Sequence, residues 1–219
     1  MNRKQIKKQY REQQEVVEDR LKSFRQLRNS SDRRKFQELV FVILTSQTSA
    51  KQAWKAAEKL NELKLLKDGS KKEIGQVLEN FEIQYEQKKA SYIVENRQLL
   101  SQPTLEKPEK ELKLEQRIKT DDLESTRSWL AENMKGIGMK GASHFLRNIG
   151  YGNSFAIVSN HIITVLHELK LREKPDPPQN REEYLEVEET VQTLAEQLSI
   201  DVKALDLVLW SMKTGEVFK

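Results

Sequence analysis

A short segment rich in glycine and lysine carries the most specific chemical signal in the 219-residue sequence. Residues 135–142 read Lys-Gly-Ile-Gly-Met-Lys-Gly-Ala, which places Gly136 and Gly138 two positions apart, ahead of Lys140. Glycine has no Cβ and tolerates positive φ, so the backbone can bend sharply here and approach a ligand closely. The N–H groups and positive dipole at the start of the next helix favour an anion, above all phosphate. An ordinary corner between two helices explains the same pattern without a ligand.

Two side chains in connecting loops are further candidates for ligand binding. Gln47 lies at the tip of the loop 45–49, where its amide is available to a ligand. A loop that serves only to cap the flanking helices is the alternative. Tyr85 lies in a short polar connector, where an aromatic ring can stack on a nucleobase, although a half-buried packing tyrosine is the commoner arrangement.

Helical periodicity predicts the elements that must position these side chains. An amphipathic helix is expected over residues 3–28. The apolar run 39–44 is interpreted as a buried helix because its flanks are helix-prone, although its β-branched residues would also allow a strand. Further helices are predicted over these ranges: 50–60, 86–100, 123–133, 140–149, 182–198 and from Asp201 through Trp210. We expect an all-α chain of about ten to twelve helices.

The composition restricts the possible functions. A net charge of +4 and a pI near 9.0 permit a polyanionic partner without requiring one. The absence of cysteine excludes disulfides, a thiol nucleophile and a cysteine-held metal. The three histidines (His144, His161 and His167) are too scattered to predict a zinc site. No apolar run has membrane-spanning length and the N-terminus is hydrophilic, so an intracellular protein without membrane association is expected.

Four segments together resemble the archaeal-type (second class) 8-oxoguanine DNA glycosylases of the helix-hairpin-helix superfamily. Residues 135–151 are similar to the family's hairpin, and residues 44–50 (LTSQTSA) to its leucine-threonine segment. Residues 85–94 (YEQKKASYIV) resemble its aromatic-x-x-x-Lys-Ala-x-Tyr-Ile block. Residues 205–210 and 213–219 resemble its tail. The segments occur in the family's order and span most of the chain.

The resemblance implies two helical subdomains flanking a cleft, with a helix-hairpin-helix motif at about residues 124–150. We expect residues 1–35 with 110–219 to form the terminal subdomain and residues 36–109 the core subdomain. Double-stranded DNA containing 8-oxoguanine or an abasic site is the expected partner. The damaged base is expected to flip into the cleft, because the glycosidic bond is inaccessible within the stack. The protein is expected to act as a monomer, in the cytoplasm at the nucleoid.

The resemblance assigns the central chemical role to Lys140. In the family, the lysine two residues after the second hairpin glycine attacks C1′, expels 8-oxoguanine and remains as a Schiff base, which permits β-elimination of the 3′ phosphate. A lysine suits this role once it has lost its proton, which a helix N-terminus and partial burial both favour. The alternative role for Lys140 is a cation that contacts phosphate.

The sequence departs from the family at Ser159, which stands where the family has a catalytic aspartate. Asn160 occupies the neighbouring arginine position, and no acid lies between Lys140 and Glu168. The aspartate's tasks are to help deprotonate the lysine and to balance positive charge at the sugar, and a serine hydroxyl carries no charge. Three interpretations stay open: chemistry that uses another acid or the DNA itself, a weak glycosylase that keeps lyase activity, or a binder of damaged DNA.

The remaining site assignments also follow from the resemblance. Tyr85 would stack on the flipped base, Trp210 would line the same pocket, and the main-chain carboxylate of Lys219 would accept hydrogen bonds from guanine. Gln47 would fill the gap left by the flipped base. The hairpin residues expected to contact DNA are Lys135, Gly136, Gly138 and Gly141. Backbone carbonyls around Met134, Gly136 and Ile137 or Met139 are expected to bind a monovalent cation, and no other metal or cofactor is expected.

Two functions of other classes remain open. A non-enzymatic helix-hairpin-helix module would bind DNA without forming a covalent adduct. An all-α protein–protein scaffold would show no salt-sensitive affinity for DNA.

Overall fold

The computed structural model describes residues 1–101, 111–152 and 154–219. Within these ranges the chain forms eleven α-helices and one 3-10 helix (Glu115–Arg117), with no β-strand, which confirms the all-α prediction. The α-helices are α1 (Arg3–Leu27), α2 (Asp32–Leu44), α3 (Ala50–Glu62), α4 (Leu65–Asp68), α5 (Lys71–Asn80), α6 (Glu86–Leu100), α7 (Leu123–Asn133), α8 (Met139–Asn148), α9 (Asn160–Glu168), α10 (Arg181–Leu198) and α11 (Val202–Thr214). Among the described helices, none is both long enough and apolar enough to cross a membrane.

The chain divides into two compact units. The terminal unit comprises Met1–Arg28 and Leu146–Lys219, and the hairpin unit comprises Asn29–Phe145. This division differs from the predicted one (1–35 with 110–219, and 36–109), whose boundary at 109/110 lies outside the described residues. Residues 111–145 belong to the hairpin unit because the hairpin packs on helices α2 and α6, as the contacts below show.

Helix α2 forms the centre of the hairpin unit. It begins after Ser31, whose side chain accepts a hydrogen bond from the Arg34 N–H, and every residue from Lys35 to Leu44 is buried. Helices α3, α4 and α6 pack against it. The apolar run 39–44 is therefore helical, as predicted, and it lacks polar alternation because it is covered on all sides.

Helices α7 and α8 form the predicted helix-hairpin-helix motif. Asp122 caps α7 by accepting a hydrogen bond from the Ser125 N–H at 2.9 Å. After α7, the buried side chain of Asn96 holds the backbone of Lys135 from both sides. Its Oδ1 accepts from the Lys135 N–H at 2.8 Å, and its Nδ2 donates to the Lys135 carbonyl at 2.9 Å. A side chain of α6 thus fixes the entry to the turn.

The terminal unit is built from α1, α9, α10 and α11. The buried face of α1 (Ile6, Val17, Leu21 and Phe24) packs on α11, and the Ser211 hydroxyl donates to the side chain of Gln13. Helix α10 holds the segment that precedes α9. The Tyr184 hydroxyl donates to the Ala156 carbonyl at 3.0 Å, and Glu188 accepts from the Ala156 N–H at 2.9 Å. These bonds determine where α9 begins.

Candidate active site

The two hairpin glycines have different structural roles. Gly136 has a φ of +78°, and a Cβ added there would lie 2.7 Å from Cδ2 of Tyr92. The bend therefore requires glycine for both conformation and space. Gly138 is not in the left-handed region, and an added Cβ would meet no atom within 4 Å. The fold does not itself demand a glycine at position 138, which leaves an open approach to the backbone.

Lys140 is the second residue of α8, directly after this open approach. The Gly138 carbonyl accepts the helical hydrogen bond from the Ala142 N–H at 2.9 Å, and the N–H groups of a first helical turn have no partner within the helix. The sequence argument expected partial burial of Lys140, but the residue is exposed. Gly141, rather than Lys140, faces Val42 of α2. Desolvation of the Lys140 amine therefore requires a bound ligand.

The other hairpin candidates divide between the surface and the interior. The Lys135 side chain is exposed although its backbone is held by Asn96, so the ammonium is available to an anion. A Cβ on Gly141 would lie 3.4 Å from Cγ2 of Ile137 and 3.5 Å from Cγ1 of Val42. This direction faces the protein interior, and the DNA contact of Gly141 stays a prediction.

The structure brings three predicted site residues together in one pocket of about 410 Å³. Gln47, Tyr85 and Gly136 line it. The other lining residues are Ile43, Ser46, Lys88, Lys89 and Tyr92. The loop after α2, the start of α6 and the hairpin turn thus converge on a single concave surface within the hairpin unit.

Gln47 and Tyr85 have unusual backbone conformations. Both are left-handed, with φ of 55° and 59°, which is uncommon for residues other than glycine. Gln47 is exposed at its loop tip, as predicted, and Tyr85 is 58% exposed. The alternative interpretation of Tyr85 as a packing tyrosine does not apply, because most of its surface is available to a ligand. Strained, exposed residues on one pocket are characteristic of functional sites.

Lys89 is a pocket residue that the sequence interpretation missed. It is 4% exposed, and its ammonium donates to the Leu44 carbonyl at 3.1 Å, the Ser46 carbonyl at 2.6 Å and Oγ1 of Thr48 at 3.3 Å. Burial lowers the pKa of Lys89 to about 8. In the sequence it is the second of two adjacent lysines, and the resemblance of residues 85–94 to the family block, whose lysine falls at position 89, was the signal that could have separated it from Lys88.

In the terminal unit, Ser159 is the N-cap of α9. Its hydroxyl accepts a hydrogen bond from the Ile162 N–H at 3.4 Å, and its own N–H donates to the Ile157 carbonyl at 2.7 Å. The hydroxyl is only partly buried. Serine here supplies a helix cap without a charge.

Trp210 lies beside His161 in the same unit, with ring centroids 4.9 Å apart. Burial, assisted by Lys213, lowers the pKa of His161, which favours the neutral form of its ring. Its Nδ1 is buried and has no hydrogen-bond partner in the part of the chain that the structure describes. One imidazole nitrogen beside Trp210 is therefore buried and unsatisfied within the described residues.

A partly buried acid of the terminal unit was also missed. Asp206 of α11 accepts a hydrogen bond from Nη1 of Arg147 at 2.5 Å. The signal was present in the sequence, because Asp206 is a lone acid in the apolar run 204–210.

Lys219 is partly buried, and its proposed recognition of guanine stays a prediction.

The carbonyl groups proposed for a monovalent cation lie in the hairpin turn. The Met134 carbonyl accepts a hydrogen bond from the Ile137 N–H at 3.3 Å, which leaves it a second lone pair. No group of three or more His, Asp or Glu side chains with metal-binding geometry occurs in residues 1–101, 111–152 and 154–219. The cation therefore stays a prediction that depends on backbone oxygens alone.

Comparison with known proteins identifies close relatives along almost the whole chain. A family model described as 8-oxoguanine DNA glycosylase matches residues 17–200. A protein of Fusobacterium nucleatum named 8-oxoguanine DNA glycosylase/AP lyase is 32% identical over 223 residues, which cover 98% of this chain and 96% of its own. The crystal structure of the 8-oxoguanine DNA glycosylase of Thermotoga maritima matches with a TM-score of 0.87 and 32% identity, covering 99% of this chain and 98% of that one. The Methanocaldococcus jannaschii 8-oxoguanine glycosylase/lyase, in complex with 15mer DNA containing 8-oxoguanine, matches with a TM-score of 0.84 and 27% identity, covering 98% and 100%.

Proposed function

Because the chain belongs to the 8-oxoguanine DNA glycosylase family, we propose that it excises 8-oxoguanine from double-stranded DNA and cleaves the resulting abasic site. The observation that carries this proposal is the hairpin geometry. Gly136 lines a pocket with an exposed aromatic ring and an exposed amide, and four residues later the chain presents the exposed amine of Lys140.

Lys140 acts as the nucleophile. An ammonium has no lone pair, so the amine must first transfer its proton, and contact with DNA supplies the desolvation that the free protein lacks. The nitrogen then attacks C1′, the bond from C1′ to N9 breaks, and the base leaves with the electron pair and takes up a proton. The nitrogen then loses a proton, and its lone pair forms the C1′=N bond as the C1′–O4′ bond of the sugar ring breaks and O4′ takes up a proton. The resulting protonated Schiff base acidifies the C2′ proton. Loss of that proton breaks the C3′–O bond and expels the 3′ phosphate.

Ser159 makes the two half-reactions unequal. Its hydroxyl caps α9 and supplies no negative charge to the sugar as the base departs. A preformed abasic site offers an aldehyde, which forms an imine without base expulsion. We therefore expect cleavage of abasic sites to be faster than excision of 8-oxoguanine.

The pocket residues position the DNA. The exposed ring of Tyr85 stacks on the flipped base, and the Gln47 amide fills the gap in the duplex. Contact of Trp210 with the base and acceptance of hydrogen bonds from guanine by the Lys219 carboxylate are assigned from the family resemblance. Gly138 and Lys135 receive the phosphate backbone at the positive end of α8. We also propose that carbonyl groups of the hairpin hold a monovalent cation. The protein acts as a monomer and is located at the nucleoid.

Borohydride trapping tests this function directly. The parent is expected to form a covalent adduct with an abasic duplex, and Lys140→Ala to form none. Lys135→Ala is the matched control, since it removes a neighbouring exposed ammonium and leaves the nucleophile, so its adduct should form at saturating protein.

The outcomes separate the competing functions. DNA binding by the parent without any adduct would identify a non-catalytic DNA-binding module. Absence of salt-sensitive DNA binding would point instead to a protein–protein scaffold.

A further inference from the structure

The Lys89 ammonium contacts the chain on both sides of Gln47. It donates to the carbonyl of Ser46, which precedes Gln47, at 2.6 Å, and to the hydroxyl of Thr48, which follows it, at 3.3 Å. Its third bond, at 3.1 Å, goes to the Leu44 carbonyl at the C-terminus of α2, where a positive charge is favourable. One side chain of α6 therefore determines the path of the whole loop tip.

Thr48 extends these contacts toward Tyr85. Its Oγ1 accepts a hydrogen bond from the backbone N–H of Gln84 at 3.3 Å. Gln84 directly precedes Tyr85, and Lys89 lies one helical turn after it. The two left-handed residues of the pocket, Gln47 and Tyr85, are thus held by one connected set of hydrogen bonds.

The use of a charge at this position is costly. Lys89 is 4% exposed, burial lowers its pKa, and in the described part of the chain its ammonium donates to uncharged oxygens rather than to a carboxylate. An apolar side chain would fill the space without this desolvation cost. Three donors that radiate from one atom are, however, what is required to hold three oxygens at once.

We propose that Lys89 is a positioning residue, which fixes the loop carrying Gln47 relative to Tyr85 and so sets the preference of the protein for DNA that contains a lesion. The proposal rests on the function proposed above. Lys89 itself touches no DNA in this role. Its effect is transmitted through the orientation of Gln47.

A double-mutant cycle tests the coupling. Affinity is measured by fluorescence anisotropy for a duplex with a tetrahydrofuran abasic analogue and for the undamaged duplex, and their ratio gives the lesion preference. In the parent, Gln47→Ala should reduce this ratio roughly fivefold, whereas in Lys89→Met it should reduce the ratio by less than about twofold, because contacting residues are not additive. Equal reductions in both backgrounds would overturn the proposal.

Lys88→Met is the matched control. It removes a charge from the adjacent position of the same pocket, and Lys88 contacts the Tyr92 ring rather than the loop. DNA affinity should fall, but Gln47→Ala should keep its full effect. If Lys88→Met abolishes the Gln47 effect as well, general charge rather than positioning is responsible and the proposal fails.

Two further measurements keep the test decisive. If Lys89→Met does not fold, Thr48→Val removes only the hydroxyl link, and it should reduce the Gln47 effect, while an unchanged effect counts against the proposal. Hydrogen exchange of the backbone amides 45–49 measures how firmly the loop is held, and this measurement does not depend on DNA binding. Faster exchange in Lys89→Met or Thr48→Val than in Lys88→Met supports the positioning role, whether or not the parent prefers damaged DNA. A parent without lesion preference would overturn the proposed function and leave the positioning role standing.

Discussion

Alanine substitutions at the two hairpin glycines are expected to affect two different properties. At Gly136 (φ +78°), an L-residue pays about 1–2 kcal/mol for the left-handed conformation. The new Cβ would also lie 2.7 Å from Cδ2 of Tyr92, which must move. The lower entropy of the unfolded chain offsets about 0.4–1 kcal/mol of this cost. With the displacement of Tyr92 included, we expect the free energy of unfolding to fall by about 2 kcal/mol.

Gly138→Ala should leave the fold intact. Its φ is outside the left-handed region and no atom lies within 4 Å of the added Cβ, so stability should stay the same or rise by about 0.4–1 kcal/mol. The methyl group instead occupies the space through which a phosphate reaches the start of α8. We expect at least a roughly tenfold loss of affinity for an abasic duplex, equivalent to about 1.4 kcal/mol.

Thermal denaturation and fluorescence anisotropy distinguish the two effects. A loss of about 2 kcal/mol corresponds to a decrease in Tm of roughly 4–8 °C for a chain of this size. Gly136→Ala should show that decrease, and Gly138→Ala should show unchanged Tm with weakened binding at fixed ionic strength. Full affinity in Gly138→Ala would refute the hairpin as the phosphate site, and an unchanged Tm in Gly136→Ala would refute the steric argument.

Other substitutions probe the terminal unit and the buried lysine. Ser159→Asp should accelerate single-turnover excision of 8-oxoguanine by at least about tenfold while leaving Tm unchanged, since both residues cap helices; equal excision rates would eliminate the missing-acid argument. Asp206→Asn should destabilise the protein by about 1.5–3 kcal/mol, because it removes the carboxylate that accepts a charge-assisted hydrogen bond from the buried Arg147 guanidinium; urea denaturation measures this, and a change below about 1 kcal/mol would contradict it. Folding lowers the pKa of Lys89 from 10.5 to about 8. Between pH 8 and pH 10.5 the unfolded chain therefore binds more protons than the folded chain, so the free energy of unfolding rises with pH, by at most about 1.4 kcal/mol per pH unit. Lys89→Met should lack this rise in denaturation measured at pH 8 and pH 10, and an identical slope would show that Lys89 is not its source.

Local signals in the sequence were sufficient to predict most of the helices. The helices predicted over residues 3–28 and 123–133 are α1 and α7, and Ser31 and Asp122 occupy the N-cap positions of α2 and α7, which Ser and Asp favour. Helix α11 runs to Thr214, beyond the predicted end at Trp210, because the turn that terminates it lies at Gly215. These features depend on neighbours within a few positions, which is the range that a single sequence describes.

The site residues that were missed depend on contacts between distant segments. Lys89 is 45 positions from Leu44, and Arg147 is 59 positions from Asp206, so neither pairing has a local signature. The left-handed conformation of Tyr85 likewise reflects its tie through Gln84 to the preceding loop. The exposure of Lys140 also depends on a distant contact, because it follows from which face of α8 packs against α2.

The N-cap position of α9 explains how a family member can keep its fold while changing its chemistry. Serine and aspartate both accept a hydrogen bond from the first-turn N–H groups of a helix, and they stabilise helices to a similar extent. Ser159 makes that bond with Ile162, so folding places no requirement on the charge at this position. A carboxylate there would be maintained by the demands of base excision alone, whereas imine formation at an abasic site requires only that Lys140 reach the sugar. Loss of the acid should therefore slow the first half-reaction selectively, and the ratio of excision to lyase rate, rather than either rate alone, reports the contribution of this position.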